Sequence, residues 1–325
     1  MKKGTLHADI VSWYGTHGRH TLPWRQTDDP YRIWVSEIML QQTQVKTVLE
    51  RFYFPFLERF PTLSSLADAP LDAVLKQWEG LGYYTRAKNL HKAAQICTPR
   101  LPETVEGLLA LPGIGKSTAH AVAAFAYRTP VPILDANVKR ILYRFFGRKH
   151  ADEKTLWRLA EKLFDAAHPF EYNQAMMDIG ATICLPRSAC CNVCPLQNGC
   201  KAADTDPLGY PAAKKRKRIP LRRRHIVIYG ADGLYGLRQR RGRFLHGLWG
   251  FAEQTDPPGP AAQKLGAIVQ IYSHFRLEAD VWLVNATKNG WTYFSPAQID
   301  ALALGNADRK VLKLLENITV MKKTL

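Results

Sequence analysis

No apolar run in the 325 residues reaches the roughly 18 residues a membrane-spanning helix needs, so no integral membrane protein and no membrane partner are expected. The basic start Met1-Lys2-Lys3 is followed by no apolar segment of signal-peptide type, which makes the cytoplasm the expected compartment. Acidic residues are scarce: 28 Asp plus Glu face 45 Lys plus Arg, for a net charge of +17. A surface so short of carboxylates asks for a polyanionic partner, most often nucleic acid, although a generic basic surface has the same balance. Cysteine is sparse outside one stretch, and a second paired CxxC hook is missing even there. Hydrophobic residues are not lacking. At 46% they exclude a wholly disordered chain, and the length suits two or three domains.

The charge is concentrated. Lys214, Lys215, Arg216, Lys217, Arg218, Arg222, Arg223 and Arg224 crowd one short segment broken by Pro211 and Pro220. It reads as an exposed linker over residues 206–224, lying against phosphates or simply solvated as a basic hinge. Five of the six cysteines fall between Cys184 and Cys200. Such a cluster in a chain that is not secreted points to a metal site rather than disulfides. Cys184, Cys191, Cys194 and Cys200 offer four thiolates, which suit zinc or an iron–sulfur cluster; the single CxxC hook favours the latter. Cys190 leaves the ligand register ambiguous by one residue. Cys97 stands alone in a helical segment, as a small buried residue.

The first two thirds read as helix. Asp29 and Pro30 open one segment, apolar on nearly every face, that runs through Leu40. Further helical periodicity covers Leu6–Tyr14, Val45–Phe60, Leu71–Trp78, Thr85–Ile96, Ser117–Tyr127, Val138–Phe146, Leu156–Ala167 and Tyr172–Ile183. After the basic linker the texture changes. His225–Tyr229, Ala267–Tyr272 and Val281–Val284 are strand-like, Gly-rich turns flank Leu234–Arg238 and Gly247–Phe251, and Ala307–Ile318 closes as an amphipathic helix. Residues 225–325 thus form a small α+β domain.

Four features could carry chemistry. Leu111-Pro112-Gly113-Ile114-Gly115-Lys116-Ser117 reads as a helix–hairpin–helix whose exposed N–H groups can hold a DNA phosphate, or as a plain helix connector. Glu37 is a lone carboxyl in a buried helix, where desolvation would keep it protonated near neutral pH as a general acid; pairing with an arginine is the alternative. Asp135 precedes the helix from Ala136 as an N-cap, and the helix N–H groups would hold it ionised. One neutral and one anionic carboxyl is the arrangement that splits a glycosidic bond. Asn137, one turn in, could bind the reacting water or the sugar.

Leu22-Pro23-Trp24-Arg25, the run Trp34 to Val45, Gly80-Leu81-Gly82-Tyr83-Tyr84, the hairpin, Leu134 to Arg140, Asn173 to Gly180 and the cysteine loop together resemble the adenine DNA glycosylases of the MutY family, within the endonuclease III superfamily. The likeness covers residues 6–205 in unbroken order. It is thinner beyond, resting on Gly247-Leu248-Trp249-Gly250 and Tyr272-Ser273-His274-Phe275.

The resemblance implies a six-helix barrel over 21–128 containing the hairpin, a helical iron–sulfur domain from 1–20 and 129–205, and a Nudix-like lesion-reading domain over 225–325. It implies hydrolytic removal of adenine from A:8-oxoguanine or A:G mispairs in double-stranded DNA, by a monomer bound to the nucleoid. Glu37 would protonate the adenine, Asp135 would meet or bond to the sugar cation, and Asn137 would support that site. Gln42 and Tyr83 would probe the opened duplex, Arg25 would line the adenine pocket, and Gly113, Gly115, Lys116 and Ser117 would hold the backbone. Ser273 and His274 would read the lesion. The four cysteines would bind a [4Fe-4S] cluster. Three departures stand out: Ala136 where the family has glycine, Tyr272 where it has phenylalanine, and a short last domain without the R-E-x-x-E-E segment of pyrophosphatases. A glycosylase/lyase of the same superfamily needs an amine on the second hairpin helix, where this chain has Ser117, so water is the expected nucleophile. A non-catalytic iron–sulfur protein would need neither Glu37 nor Asp135.

Overall fold

The structure is a computed structural model that describes residues 3–213 and 218–323. Twelve described helices precede the first strand: α1 Lys3–His17, α2 Pro30–Leu40, α3 Val45–Arg51, α4 Tyr53–Arg59, α5 Leu63–Ala67, α6 Leu71–Gln77, α7 Thr85–Cys97, α8 Val105–Leu109, α9 Lys116–Ala126, α10 Ala136–Phe145, α11 Glu153–Leu163 and α12 Pro169–Thr182. Helix α2 begins as its sequence requires: Asp29 accepts from the Tyr31 N–H at 2.9 Å and Pro30 fills the first position. The single helix expected over Val45–Phe60 is two, broken at Phe52. The break puts Pro55 in the first turn of α4, where its missing N–H has no partner to lose. No described helix is long and apolar enough to cross a membrane.

The chain packs as two compact units. One comprises Met1–Tyr53, Phe60–Ala67 and Lys92–Lys215; the other comprises Phe54–Arg59, Asp68–His91 and Arg216–Leu325. These units cut across the sequence-order division into a barrel, a cluster domain and a C-terminal domain. In the first unit α2 packs on α9 through Ile33, Ala121, Ala124 and Phe125. A second core joins α1, α10, α11 and α12 through Ile10, Leu142, Leu156 and Ile179, with Cys184, Cys194 and Cys200 packed against it.

The second unit holds a mixed sheet of β1 Leu221–Ala231, β2 Leu234–Gln239, β3 Trp249–Gly250, β4 Ala252–Gln254, β5 Gln263–Ile271, β6 Arg276–Val284 and β7 Thr292–Phe294, closed by α13 Pro296–Ala301 and α14 Asn306–Lys323. Its main order is β3-β2-β1-β6-β5, with β1 and β6 parallel and β5 and β6 an antiparallel hairpin. Val311 and Leu315 of α14 join Ile268 and Val281 of the sheet in one core. The expected linker of 206–224 ends early. Leu221–Arg224 already belong to β1, because β6 supplies their ladder partners and Glu278 and Glu253 form ion pairs with Arg223 and Arg224. Lys214, Lys215, Arg216 and Lys217 lie outside the described residues.

One glycine sets the spacing of α10 and α12. A Cβ on Gly180 would stand 2.5 Å from the Asn137 Cβ, far inside contact distance. Gly180→Ala should therefore destabilise the protein by about 1–3 kcal/mol through overpacking, despite the helix propensity of alanine. A urea midpoint equal to the wild type would show that the two helices separate freely.

Candidate active site and nucleic-acid interface

Glu37 sits in the middle of α2, between the buried residues Trp34 and Ile38. Its side chain keeps partial access to solvent. Burial is nonetheless the largest influence on it and pushes the carboxyl up to about 7; the Asp135 charge adds to the rise and Arg25 opposes it. Asp135 caps α10: one carboxylate oxygen accepts from the Val138 N–H at 2.7 Å and the other from the Asn137 amide at 3.1 Å. The expectation that these donors alone would hold it ionised needs correcting. Desolvation outweighs them, and the Asp135 carboxyl is also raised. Both carboxyls are thus pushed up, and the donors gathered on Asp135 favour placing the charge there and the proton on Glu37.

The residues behind the pair were only half foreseen. Asn137 accepts at its Oδ1 from Arg140 at 3.0 Å, and Arg140 donates its Nε to the Cys184 carbonyl at 2.7 Å. Arg25, expected to line an adenine pocket, spends its guanidinium on Asp178, with contacts of 2.6 and 2.8 Å. Asp178 is fully buried and also accepts from Arg19. These cations hold its carboxyl below the usual range against its own burial. Arg25 also acts on Glu37 through its field, which opposes the rise of that carboxyl. Asp178 shares its helix with Glu171, Asn173 and Gln174, so no lone-acid signal marked it in the sequence.

The hairpin is formed as its sequence suggests. Gly113 takes φ 79°, a conformation that favours glycine, and Gly115 starts α9 with no side-chain cap. Gly113, Gly115 and Lys116 are exposed and Ser117 half-buried, while buried Ile114 anchors the turn. The Lys116 ammonium lies 4.0 Å from the Trp157 ring centre, a cation–π position. Gln42 is exposed in the turn after α2 with φ 58°, a strained conformation for a residue with a Cβ.

Cys184, Cys190, Cys191, Cys194 and Cys200 line one cavity beside Ile141, Arg144 and Phe145. Cys190 is the most exposed of them. Arg144, itself buried, donates to the Cys184 Sγ at 3.1 Å. Among the described residues no three His, Cys, Asp or Glu side chains gather as a single metal ion would need.

In the second unit Tyr83, Ser273 and His274 meet. They line one cavity of about 360 Å³ with Lys88, Arg243 and Phe244. Ser273 and His274 occupy the hairpin turn between β5 and β6, where the Tyr272 N–H donates to the Phe275 carbonyl. Tyr83 is half exposed and holds φ 50°.

Comparison with known proteins fits this geometry. Residues 35–166 match the family described as HhH-GPD superfamily base excision DNA repair protein. The chain is 41% identical over 253 residues to the adenine DNA glycosylase of Buchnera aphidicola subsp. Baizongia pistaciae, covering 75% of this chain and 71% of that relative. A solved thermostable thymine-DNA glycosylase superposes with a TM-score of 0.58 at 30% identity, over 62% of this chain and 96% of that one. A non-covalent endonuclease III–DNA complex shares the fold with a TM-score of 0.53 at 18% identity, over 62% of this chain and 97% of that one. With that identity over that share of its relative, the chain belongs to the adenine DNA glycosylase family of HhH-GPD base excision repair proteins.

Proposed function

We propose that the protein hydrolyses the N-glycosidic bond of adenine mispaired with 8-oxoguanine or guanine in double-stranded DNA. The observation that carries the reading is the half-buried acid pair: Glu37 pushed up to about 7 in the field of the capping Asp135. Glu37 gives its proton to the flipped-out base, making it a neutral leaving group. Asp135, anionic at the N-terminus of α10, meets the cationic sugar, by electrostatics or by a transient bond, before water completes the hydrolysis. Asn137 holds Asp135 in place. The stacking of Lys116 on Trp157, with Ser117 beside it, supports water rather than an amine as nucleophile. The open first turn of α9 would hold a phosphate. Gln42 and Tyr83 would inspect the opened duplex, and Ser273 and His274 on a Nudix-like domain would read the opposing lesion. A monomer would suffice for these roles.

A cluster at the cysteine cavity is part of the same proposal. Zinc, with Zn–S bonds of about 2.3 Å, draws its thiolates within about 4 Å of one another. Four of the five thiols around one cavity suit a [4Fe-4S] core, which takes four cysteine thiolates. Cys184, Cys191, Cys194 and Cys200 would hold it, and bound there it would staple the loop to α10.

Base release from A:8-oxoguanine duplexes tests the chemistry. Glu37→Gln should slow release by about 10²–10⁴-fold while leaving duplex binding intact. Wild-type release should fall as pH rises through about 7, because the acid form is the one needed. Normal turnover in the Gln variant, or a rate flat from pH 6 to 8, would overturn the mechanism. The same residue should show in stability. Between about pH 4.5 and 7 the folded state binds the extra proton, so wild-type stability falls as pH rises through that window. Glu37→Gln should therefore be the more stable form at pH 8, by about 1–3 kcal/mol, with the gap closing towards pH 5.

Iron analysis tests the cluster. The purified protein should carry about four irons per chain. Cys191→Ser should lose them and Cys190→Ser should keep them. Iron lost on changing Cys190 instead would move the ligand register, and a zinc-loaded protein of full activity would refute the cluster.

A further inference from the structure

The loop that carries Tyr83 is strained. Gly80, Gly82 and Tyr83 take φ of 94°, 78° and 50°, and tyrosine pays for the last with unfavourable sterics that its surroundings must overcome. Both ends of this loop are tied to one segment far along the chain. At its entry, the Glu79 carboxylate accepts from the Arg309 guanidinium, through Nε and through Nη2 at 3.0 Å. Lys76 donates to the same carboxylate at 3.1 Å and to the Leu302 carbonyl at 3.3 Å. At its exit, buried Tyr84 donates its hydroxyl to the Leu304 carbonyl at 3.1 Å. Glu79 and Arg309 are 15% and 24% exposed, so the pair is shielded from solvent screening far better than a surface salt bridge.

The neighbouring residue anchors the loop that supplies the other wall of the Tyr83 cavity, through Arg243, Phe244 and Leu245. Asp308, 1% exposed, accepts from Arg240 at 2.9 and 2.8 Å and from the Phe251 N–H at 3.1 Å. Arg240 opens the loop between β2 and β3. Phe244 of that loop packs edge-on against Tyr272 and His274, with ring centres 4.9 and 5.2 Å apart.

We infer that the first turn of α14 is a positioning element for base-opposite discrimination: Arg309 sets the Tyr83 loop, Asp308 sets the Phe244–His274 wall, and their adjacency fixes the width between them. Neither residue touches the reacting bond. The inference rests on the proposed role of Tyr83, Ser273 and His274 in reading the base opposite adenine.

Single-turnover base release from A:8-oxoguanine and from A:G duplexes measures this as a ratio of rates. Arg309→Met and Glu79→Gln should each lower the ratio about tenfold, within the range of couplings between contacting groups, with A:G release kept within about twofold. Arg309→Lys should restore part of it. In a Tyr83→Ala background, Arg309→Met should lower the ratio no further, since it acts through Tyr83; a general loss of fold would lower both rates and add to the Tyr83 effect. Glu79→Gln, nearly isosteric, provides the same reading if Arg309→Met folds poorly. A ratio that falls in Tyr83→Ala but is unchanged in Arg309→Met and Glu79→Gln overturns the inference alone. A ratio unchanged in Tyr83→Ala overturns the lesion reading and this inference with it.

Discussion

Two carboxyl groups withdrawn from water in one electrostatic field cannot both ionise without a large penalty, and the active half of this molecule is arranged around that constraint. Glu37 reaches the site from the middle of an apolar helix, where little could stabilise its charge. Asp135 reaches it at a helix start, where backbone N–H groups and Asn137 converge on it. The asymmetry decides which oxygen holds the proton. Arg25 could have collapsed the distinction by pairing with Glu37. Its commitment to Asp178 removes that option while leaving a modest positive field that keeps Glu37 near neutrality rather than far above it.

The support behind Asp135 is continuous. Asn137 binds Asp135, Arg140 binds Asn137, and Arg140 also binds the carbonyl of Cys184, the first cysteine of the loop. Arg144, one turn further along α10, binds the sulfur of that cysteine. One face of α10 thus carries the anion at its start and the cysteine loop along its length. Gly180 permits this by letting α12 approach where any side chain would collide with Asn137. Position of the anion and integrity of the loop are therefore coupled mechanically, whatever else a cluster does.

Much of this was legible in the sequence because it rests on local rules. The Asp-Pro start of α2, the glycines of the hairpin and the capping role of Asp135 follow from backbone chemistry within a few residues. The α+β texture after the basic segment also survived, because strand patterning is local. What lay out of reach was non-local. The ion pair of Arg25 with Asp178 joins residues far apart in the chain. Arg222–Arg224 looked like linker because their partners, Glu253 and Glu278, come later in the chain. The division of the chain into domains by sequence order likewise gave no sign that 68–91 would pack with 216–325.

Gln42 and Tyr83, the two residues expected to probe the duplex, both hold left-handed backbone conformations that a side chain disfavours. Such conformations persist only where the surroundings over-determine them. For Tyr83 the surroundings are identifiable: Trp78 and Arg86 donate to the Gly82 carbonyl, Arg86 lies over the Tyr83 ring, and the loop ends are held by Glu79–Arg309 and Tyr84–Leu304. A probe that must enter a duplex has to be exposed, and an exposed aromatic on a relaxed loop would waste binding energy in being ordered. Clamping the loop beforehand spends folding energy instead, and the clamp comes from the part of the chain that also carries Ser273 and His274. Adenine is an undamaged base, so its removal is safe only when the opposing base is recognised. In the proposed roles, the Tyr83 loop and the Ser273–His274 turn, held on one packed unit, would report on the same nucleotide together.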